Sequence, residues 1–201
     1  KVIGIGSPKA SLESNYSLRA LVGAPNFFSG VSKLEGALVK KVIEILKRGK
    51  VRNPSLKEVE SYDAVFVLGE DVTNTAPMLE LSLRQAAKTK EIEIAKAQKI
   101  SVWNDAAIRL ASQEVNGPFY IATFSANRLD DIATKSFRAH SYDIARLGYG
   151  VAHQLNAQLP AIELDEDVQS LAKQIANDLM SSKKPLIVSG TSLYSEVILQ
   201  A

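Results

Sequence analysis

The residues Ala64-Val65-Phe66-Val67-Leu68, followed at once by Gly69, decide the fold of this chain. A short apolar run that ends in glycine is typical of a strand buried on both faces of a parallel sheet. A helical pattern follows at residues 77–88, and its first residue is Pro77, at a position where helices accept proline. A strand followed by a helix predicts a right-handed crossover to a second parallel strand.

The same alternation of strands and helices extends in both directions along the chain. Apolar runs predict further strands at residues 2–5, 27–31, 100–103, 119–124 and 186–189. Apolar residues at helical spacing predict helices at 33–47 and 105–112, and two long helices after residue 140. We therefore expect an α/β fold, with one or two Rossmann-like parallel sheets and helices on both faces.

The best candidate for a linker is residues 50–55, where Pro54 and neighbouring charges interrupt any regular pattern. The segments 2–5 and 186–189 are both apolar and both end in small residues, as buried parallel strands do. We therefore predict that these two segments lie parallel in one sheet. Residues 1–54 with 184–201 would form a first, discontinuous lobe, and residues 55–183 a second.

The composition excludes several classes of protein. The 201 residues are 46% hydrophobic, with 24 basic and 22 acidic side chains, which predicts a globular core and no general attraction for nucleic acid. Without cysteine, these residues form no disulfide, no thiolate zinc site and no cysteine-ligated iron-sulfur cluster. No apolar run approaches the roughly 18 residues of a membrane-spanning helix. Because Lys1 already lies inside a strand pattern, we expect a piece of a longer polypeptide.

Ligands of parallel α/β sheets bind beyond the carboxyl ends of the strands, so the segments after the predicted strands hold the candidate residues. After the first strand, Gly4-x-Gly6 is followed by Lys9 where a dinucleotide fingerprint needs its last glycine, which favours a plain tight turn. After residues 64–68, Glu70, Asp71, Thr73 and Asn74 offer oxygens for a cation or a polar ligand. The alternative, which we favour, is that Thr75 caps the next helix.

Two further strand ends carry polar residues of the capping type. Asn104 and Asp105 follow the predicted strand at 100–103, and Gly190-Thr191-Ser192 follows the one at 186–189. Such residues most often cap the next helix, and we expect that role for both groups. The candidates for a crevice at this edge are therefore Glu70, Asp71, Thr73, Asn74, Asn104 and Asp105.

No other motif predicts catalysis or metal binding. The chain has neither a Gly-x-Ser-x-Gly elbow nor a His-Glu-x-x-His pattern, and its two histidines, His140 and His153, have no matched acid or nucleophile. We predict no catalytic residue and no metal site. A basic cluster favours a solvated helix face over a phosphate or acidic-partner site. It comprises Lys40, Lys41, Lys47, Arg48, Lys50 and Arg52.

Several stretches resemble a known family. Gly6-Ser7, the helix pattern to Arg19, and residues 63–77 are similar to successive Rossmann-like segments of molybdopterin oxidoreductases. A closer similarity, over nearly the whole chain, is to the large peripheral-arm subunit of the bacterial NADH-quinone oxidoreductases, known as complex I. Residues 8–21, 126–133 and the specific string Gly69-Glu70-Asp71-Val72-Thr73-Asn74-Thr75-Ala76-Pro77 carry it.

The resemblance implies a module from the carboxyl-terminal, molybdopterin-enzyme-like part of that subunit. The parent complex transfers electrons from NADH to quinone and translocates protons. Its implied partners are other peripheral-arm subunits, and its implied place is the cytoplasmic face of the bacterial cell membrane. The iron-sulfur clusters would belong to amino-terminal parts of the subunit. Nothing in the resemblance implies nucleic-acid binding or membrane insertion by this module.

Two departures from true molybdopterin enzymes argue against cofactor binding. Ala76 stands where those enzymes usually have histidine, and Asn104-Asp105-Ala106 replaces an Asp-Pro-Arg-like turn. The acidic strand ends would also repel the phosphates of a pterin dinucleotide. We therefore expect a non-catalytic structural module without a cofactor. The alternatives are the cofactor-binding domain of an active molybdopterin oxidoreductase and a free-standing small-molecule-binding domain.

Overall fold

A computed structural model describes residues 2–49, 52–113 and 115–201. The chain divides into two compact units, Lys1–Lys47 and Arg48–Ala201. The division falls just before the predicted linker at 50–55, whose residues 50 and 51 lie outside the described part of the chain. Lys50 of the predicted basic cluster is one of these two residues.

The first unit is a small βαβ arrangement followed by one long helix. Strands β1 (Gly4–Ile5) and β2 (Phe27–Phe28) pair in parallel. Helix α1 (Leu12–Val22) and a 3-10 turn connect them, and helix α2 (Lys33–Arg48) follows. Ser11 caps α1, since its hydroxyl oxygen accepts the Ser14 N–H at 3.1 Å. The expectation that β1 is buried on both faces is wrong, because the Ile5 side chain is 67% exposed.

The second unit contains a four-stranded sheet in which every pair is parallel. Its strands are β3 (Ala64–Leu68), β4 (Phe119–Thr123), β5 (Lys135–Arg138) and β6 (Pro185–Ser189). Their spatial order is β5-β4-β3-β6. This sheet confirms the predicted α/β, Rossmann-like fold class.

Helices cover both faces of this sheet. The helices of this unit are α3 (Leu56–Val59), α4 (Val72–Thr75), α5 (Pro77–Ala87), α6 (Thr89–Ala97), α7 (Asp105–Ser112), α8 (Ser141–Leu155), α9 (Glu166–Ser181) and α10 (Glu196–Gln200). Phe66 and Tyr120 pack in one buried cluster with residues of α8 and α9, and Val65 and Ile121 pack in another with residues of α5. Because side chains alternate along a strand, β3 and β4 contribute to both cores.

The prediction that residues 186–189 pair with residues 2–5 is wrong. Strand β6 instead pairs with β3 over five residue positions, from Ala64 opposite Pro185 to Leu68 opposite Ser189. The Asp63 carboxylate supports this pairing, because it accepts the backbone N–H groups of Lys183 and Lys184 at 2.9 and 2.7 Å, and Leu186 packs in the buried cluster of Val65 and Val67. Residues 184–201 therefore belong to the second unit and not, as predicted, to the first.

The predicted strand at 100–103 is also wrong. This segment forms a turn between α6 and α7, with Lys99 at φ 60° and the Trp103 side chain 85% exposed. In its place, the sheet contains β5, which sequence periodicity missed because only Phe137 among its four residues is apolar.

The described residues contain no helix that is both long enough and apolar enough to span a lipid bilayer.

Candidate functional site

The carboxyl edge of the second unit's sheet holds most of the candidate residues, as expected for a parallel sheet. A crevice at this edge lies between the ends of β3 and β4 and the segment after β6. Its cavity volume is about 10 Å³, which is the room of a single water molecule. The crevice is lined by Gly69, Glu70, Asp71, Thr123, Phe124, Ser125, Asn127 and Leu193.

Glu70 is held by donors from two different connections. Its carboxylate accepts the Thr75 hydroxyl at 2.8 Å, the Ser192 backbone N–H at 3.3 Å and the Ser192 hydroxyl. The prediction that Gly190-Thr191-Ser192 caps the next helix is therefore wrong. Ser192 binds Glu70 instead, and α10 begins after Ser195 without a side-chain cap.

Asp71 and Asn74 bond to each other. One Asp71 oxygen accepts the Asn74 backbone N–H at 3.3 Å, and the other accepts the Asn74 side-chain amide at 2.6 Å. Asp71 therefore caps the single turn of α4, which periodicity did not predict. The predicted capping role of Thr75 is wrong. Its hydroxyl lies within hydrogen-bond distance of the Glu70 carboxylate and of the Asp71 carbonyl oxygen. Helix α5 starts at Pro77 without a side-chain cap.

Thr73 is the one crevice candidate with a buried polar atom that lacks a partner. Among the described residues, its Oγ1 is the only buried side-chain nitrogen or oxygen without a hydrogen bond. Such an atom costs about 1–3 kcal/mol when water cannot reach it. We therefore expect the Thr73 hydroxyl to lower the stability of the fold.

Asn104 and Asp105 do not join the other candidates. The segment before them is not a strand, and neither residue lines the crevice. Asn104 Oδ1 accepts the Ala107 backbone N–H at 3.2 Å, and Asp105 pairs with Arg109 at 3.1 Å. The predicted capping role of Asn104 is confirmed, and both side chains act within α7.

A network of polar and charged residues forms around the segment between β4 and β5, and none of its members was predicted as a site residue. The Asn127 side chain accepts the Leu129 N–H at 3.0 Å, and the Asp130 carboxylate accepts the Asn127 N–H at 2.8 Å. Asp131 accepts from the Arg84 guanidinium of α5 at 2.9 Å. Asp130 also pairs with Arg138 of β5. We call these five residues the β4–β5 polar network: Arg84, Asn127, Asp130, Asp131 and Arg138.

Contacts within the β4–β5 polar network shift the pKa of two of its charged groups, Asp130 and Arg84. Burial raises the pKa of Asp130, but hydrogen bonds from Ser136 and Asn127 and the nearby Arg138 outweigh it, and the pKa is lowered. The hydrogen bond to Asp131 raises the pKa of Arg84 further above its usual value. The Asn-x-x-Asp spacing is a local signal of a capping box, but the two arginines come from distant positions that no local pattern reveals.

In the first unit, the turn after β1 is closed by its own side chains. Asn15 Oδ1 accepts the Ser7 backbone N–H at 3.0 Å, and the Asn15 amide donates to Ser7 O at 2.9 Å. The backbone N–H groups of Lys9 and Ala10 bond to Ser7. These N–H groups are the kind that would receive the phosphates of a dinucleotide, and here they are already bonded.

The histidines lie at the two ends of α8. His140 precedes the helix, and its Nδ1 accepts the Tyr142 N–H at 3.4 Å. His153 lies in the last turn, with Nδ1 2.7 Å from Leu159 O. In the described part of the chain, no group of three or more histidine, aspartate or glutamate side chains is placed to hold a metal ion.

A buried tyrosine connects β4 to α9. The Tyr120 hydroxyl donates to the Asp178 carboxylate. Burial, and then this hydrogen bond, raise the pKa of Tyr120 well above its usual value. The pair adds a link between the sheet and the carboxyl-terminal part of that helix.

Comparison with known proteins gives a consistent set of relatives. No protein-family model matches the chain. Over 201 residues, the chain is 44% identical to the G subunit of NADH-quinone oxidoreductase from Pseudomonas fluorescens. Over 202 residues, it is 46% identical to the subunit of the same name from Salmonella typhimurium strain LT2 and 45% identical to that from Escherichia coli K12.

These matches cover all of this chain and 22% of the length of each relative. Identity at this level over the whole chain places it within one family of proteins. The chain therefore belongs to the family of NADH-quinone oxidoreductase G subunits, of which it spans about a fifth of the length.

Proposed function

We propose that this chain is a structural module of NADH-quinone oxidoreductase and does no redox chemistry itself. It would lie in the molybdopterin-enzyme-like, carboxyl-terminal part of the large peripheral-arm subunit. The observation that supports this most is the carboxyl edge of the sheet, where Glu70, Asp71 and Asn74 bond to the chain's own groups.

The residues of this edge do not fit a phosphate-bearing cofactor such as a pterin dinucleotide. The crevice has room for about one water molecule. Glu70 and Asp71 line it, and at an effective dielectric near 20 a like-charge contact at about 4 Å costs about 4 kcal/mol. Helix dipoles contribute at most about 1 kcal/mol each in exposed positions, so repulsion outweighs them.

The parent complex would transfer electrons from NADH to quinone and couple this to proton translocation. Its iron-sulfur clusters would lie in other parts of the subunit, because this sequence has no cysteine to bind them. The partners of the module would be other peripheral-arm subunits, at the cytoplasmic face of the bacterial cell membrane. A net charge of +2 gives no general attraction for nucleic acid.

Calorimetric titration of the chain with GMP and with inorganic phosphate tests this proposal. We expect no saturable heat up to millimolar ligand. Saturable binding that Ser125→Ala abolishes would show that the crevice accepts phosphate, since Ser125 lines it, and would favour the cofactor-binding alternative. The matched control is Glu163→Ala, since Glu163 is exposed and lies outside the crevice.

A further inference from the structure

The Glu70 side chain joins two connections that are far apart in sequence. Thr75 lies in α4, which follows β3, and Ser192 lies between β6 and α10. Both hydroxyl groups donate hydrogen bonds to the same carboxylate oxygen, and the Ser192 N–H donates to the other oxygen. Hydrogen bonds to an ionised carboxylate are roughly twice as strong as those between neutral groups.

Gly190 is what allows this contact. A Cβ built at Gly190 would lie 2.8 Å from Glu70 Cδ and closer still to Oε2. The backbone φ of Gly190 lies outside the left-handed region, so alanine is not strained there by the backbone itself. The three nearest atoms to such a Cβ all belong to Glu70. Alanine at position 190 therefore conflicts first with the bound Glu70 side chain.

The backbone also approaches closely at this point. Gly69 has φ +69°, and a Cβ there would lie 2.9 Å from an Ile198 methyl group and 3.6 Å from Leu193. The end of β3 is thus packed directly against the segment after β6. Glu70 follows Gly69 at once, so its carboxylate is held against that segment.

We infer that Glu70 is a latch, in which the chain's own carboxylate is bound between the β3–α4 and β6–α10 connections and keeps the carboxyl edge of the sheet closed. This inference rests on the proposed function, since it names the group that occupies the edge where other α/β proteins bind ligands. The latch requires an acidic side chain at position 70 and the absence of a side chain at position 190.

A double-mutant cycle on the 201-residue chain tests the latch. The variants are Glu70→Ala, Gly190→Ala and the two combined, and the readouts are the melting temperature and the exchange rate of the Ser192 amide proton. We expect each single substitution to lower the melting temperature by about 2–6 °C and to speed exchange about tenfold. The double variant should match Glu70→Ala, because the added methyl group then loses its three nearest contacts.

Matched controls separate the latch from general effects of the same substitutions. Gly36→Ala changes a helical glycine with open space around it, and Glu163→Ala removes an exposed carboxylate. Combined with Glu70→Ala, each control should have the same effect as it has in the original chain. If Glu70→Ala does not fold, Glu70→Ser replaces it in the cycle with the same expected coupling, because serine also lacks the Cδ and Oε2 atoms that lie closest to a methyl group at position 190.

Additive effects of Glu70→Ala and Gly190→Ala would overturn the inference, as would an unchanged Ser192 exchange rate in Glu70→Ala. Neither result would affect the proposed function, which depends on the ligand titration of the original chain. Conversely, GMP binding by the original chain would contradict the proposed function, and the coupling of Glu70 to Gly190 would remain.

Discussion

Removing the Asp130 carboxylate should destabilise the second unit. It accepts bonds from Ser136 Oγ at 2.6 Å, from Asn127 N–H at 2.8 Å and from the Arg138 guanidinium. Bonds to a charged group contribute about 1.5–3 kcal/mol each, but the Asp130 and Arg138 side chains are both 27% exposed. Allowing for solvent screening, we expect Asp130→Ala to lower the free energy of unfolding by about 2–4 kcal/mol.

Urea denaturation followed by circular dichroism and by amide exchange in β4 measures this loss. For a slope of about 2–3 kcal/mol per molar urea, the midpoint should fall by about 1 M. The matched control is Asp143→Ala, which removes an exposed partner of Arg146 at 3.6 Å. It should change the stability by no more than about 0.5 kcal/mol. Equal effects of the two substitutions would refute the reasoning.

The decrease in the free energy of unfolding at acidic pH provides an independent check on Asp130. Its pKa is lowered in the folded chain, so its contribution is fully present above the unfolded value of about 3.9. That contribution disappears as pH falls through the folded pKa. Asp130→Asn should therefore be less stable than the original chain at neutral pH, and the difference should shrink below about pH 4. A difference that stays constant down to about pH 2 would contradict this.

Three further substitutions have expected effects. Thr73→Val removes an unpartnered buried hydroxyl at constant shape and should raise the free energy of unfolding by about 1 kcal/mol. Tyr120→Phe removes the hydrogen bond to Asp178 and should lower the stability at neutral pH. Because folding raises the pKa of Tyr120, the original chain should lose stability above about pH 10, where only the unfolded tyrosine ionises; the phenylalanine variant should not show this loss. Asn15→Ala opens the turn at Ser7 and should speed amide exchange there about tenfold. Urea titrations check the first substitution at neutral pH and the second at a series of pH values, and exchange mass spectrometry checks the third.

The elements with strong periodicity could be predicted from the sequence. The buried runs of β3 and β4 are apolar on both faces, and α8 and α9 carry apolar stripes at helical spacing. Strand β5 could not be predicted, because an edge strand with lysine, serine and arginine has no apolar pattern. The segment 100–103 was wrongly predicted to be a strand, because its residues are mostly apolar although Trp103 is exposed in a turn.

The pairing of the strands and the details of the crevice depend on contacts between distant residues. Strand β6 lies beside β3, where the Asp63 carboxylate accepts the backbone N–H of Lys183, 120 residues further along the chain. Ser192 and Gly190 similarly meet Glu70 only in the folded chain. The sequence did locate Glu70, Asp71 and Asn74 at the end of a strand, because that position follows directly from the βα pattern.

The central claim, that this chain supports the complex without taking part in its chemistry, is tested most directly by turnover per assembled complex. The full-length subunit carrying Glu70→Ala and Asp71→Ala would be assembled in the parent complex, and NADH-quinone turnover normalised to complex purified. We expect less assembled complex, since the substitutions weaken two connections of the fold, with turnover per complex within about twofold of the original. Normal assembly with turnover reduced more than about tenfold would contradict the account.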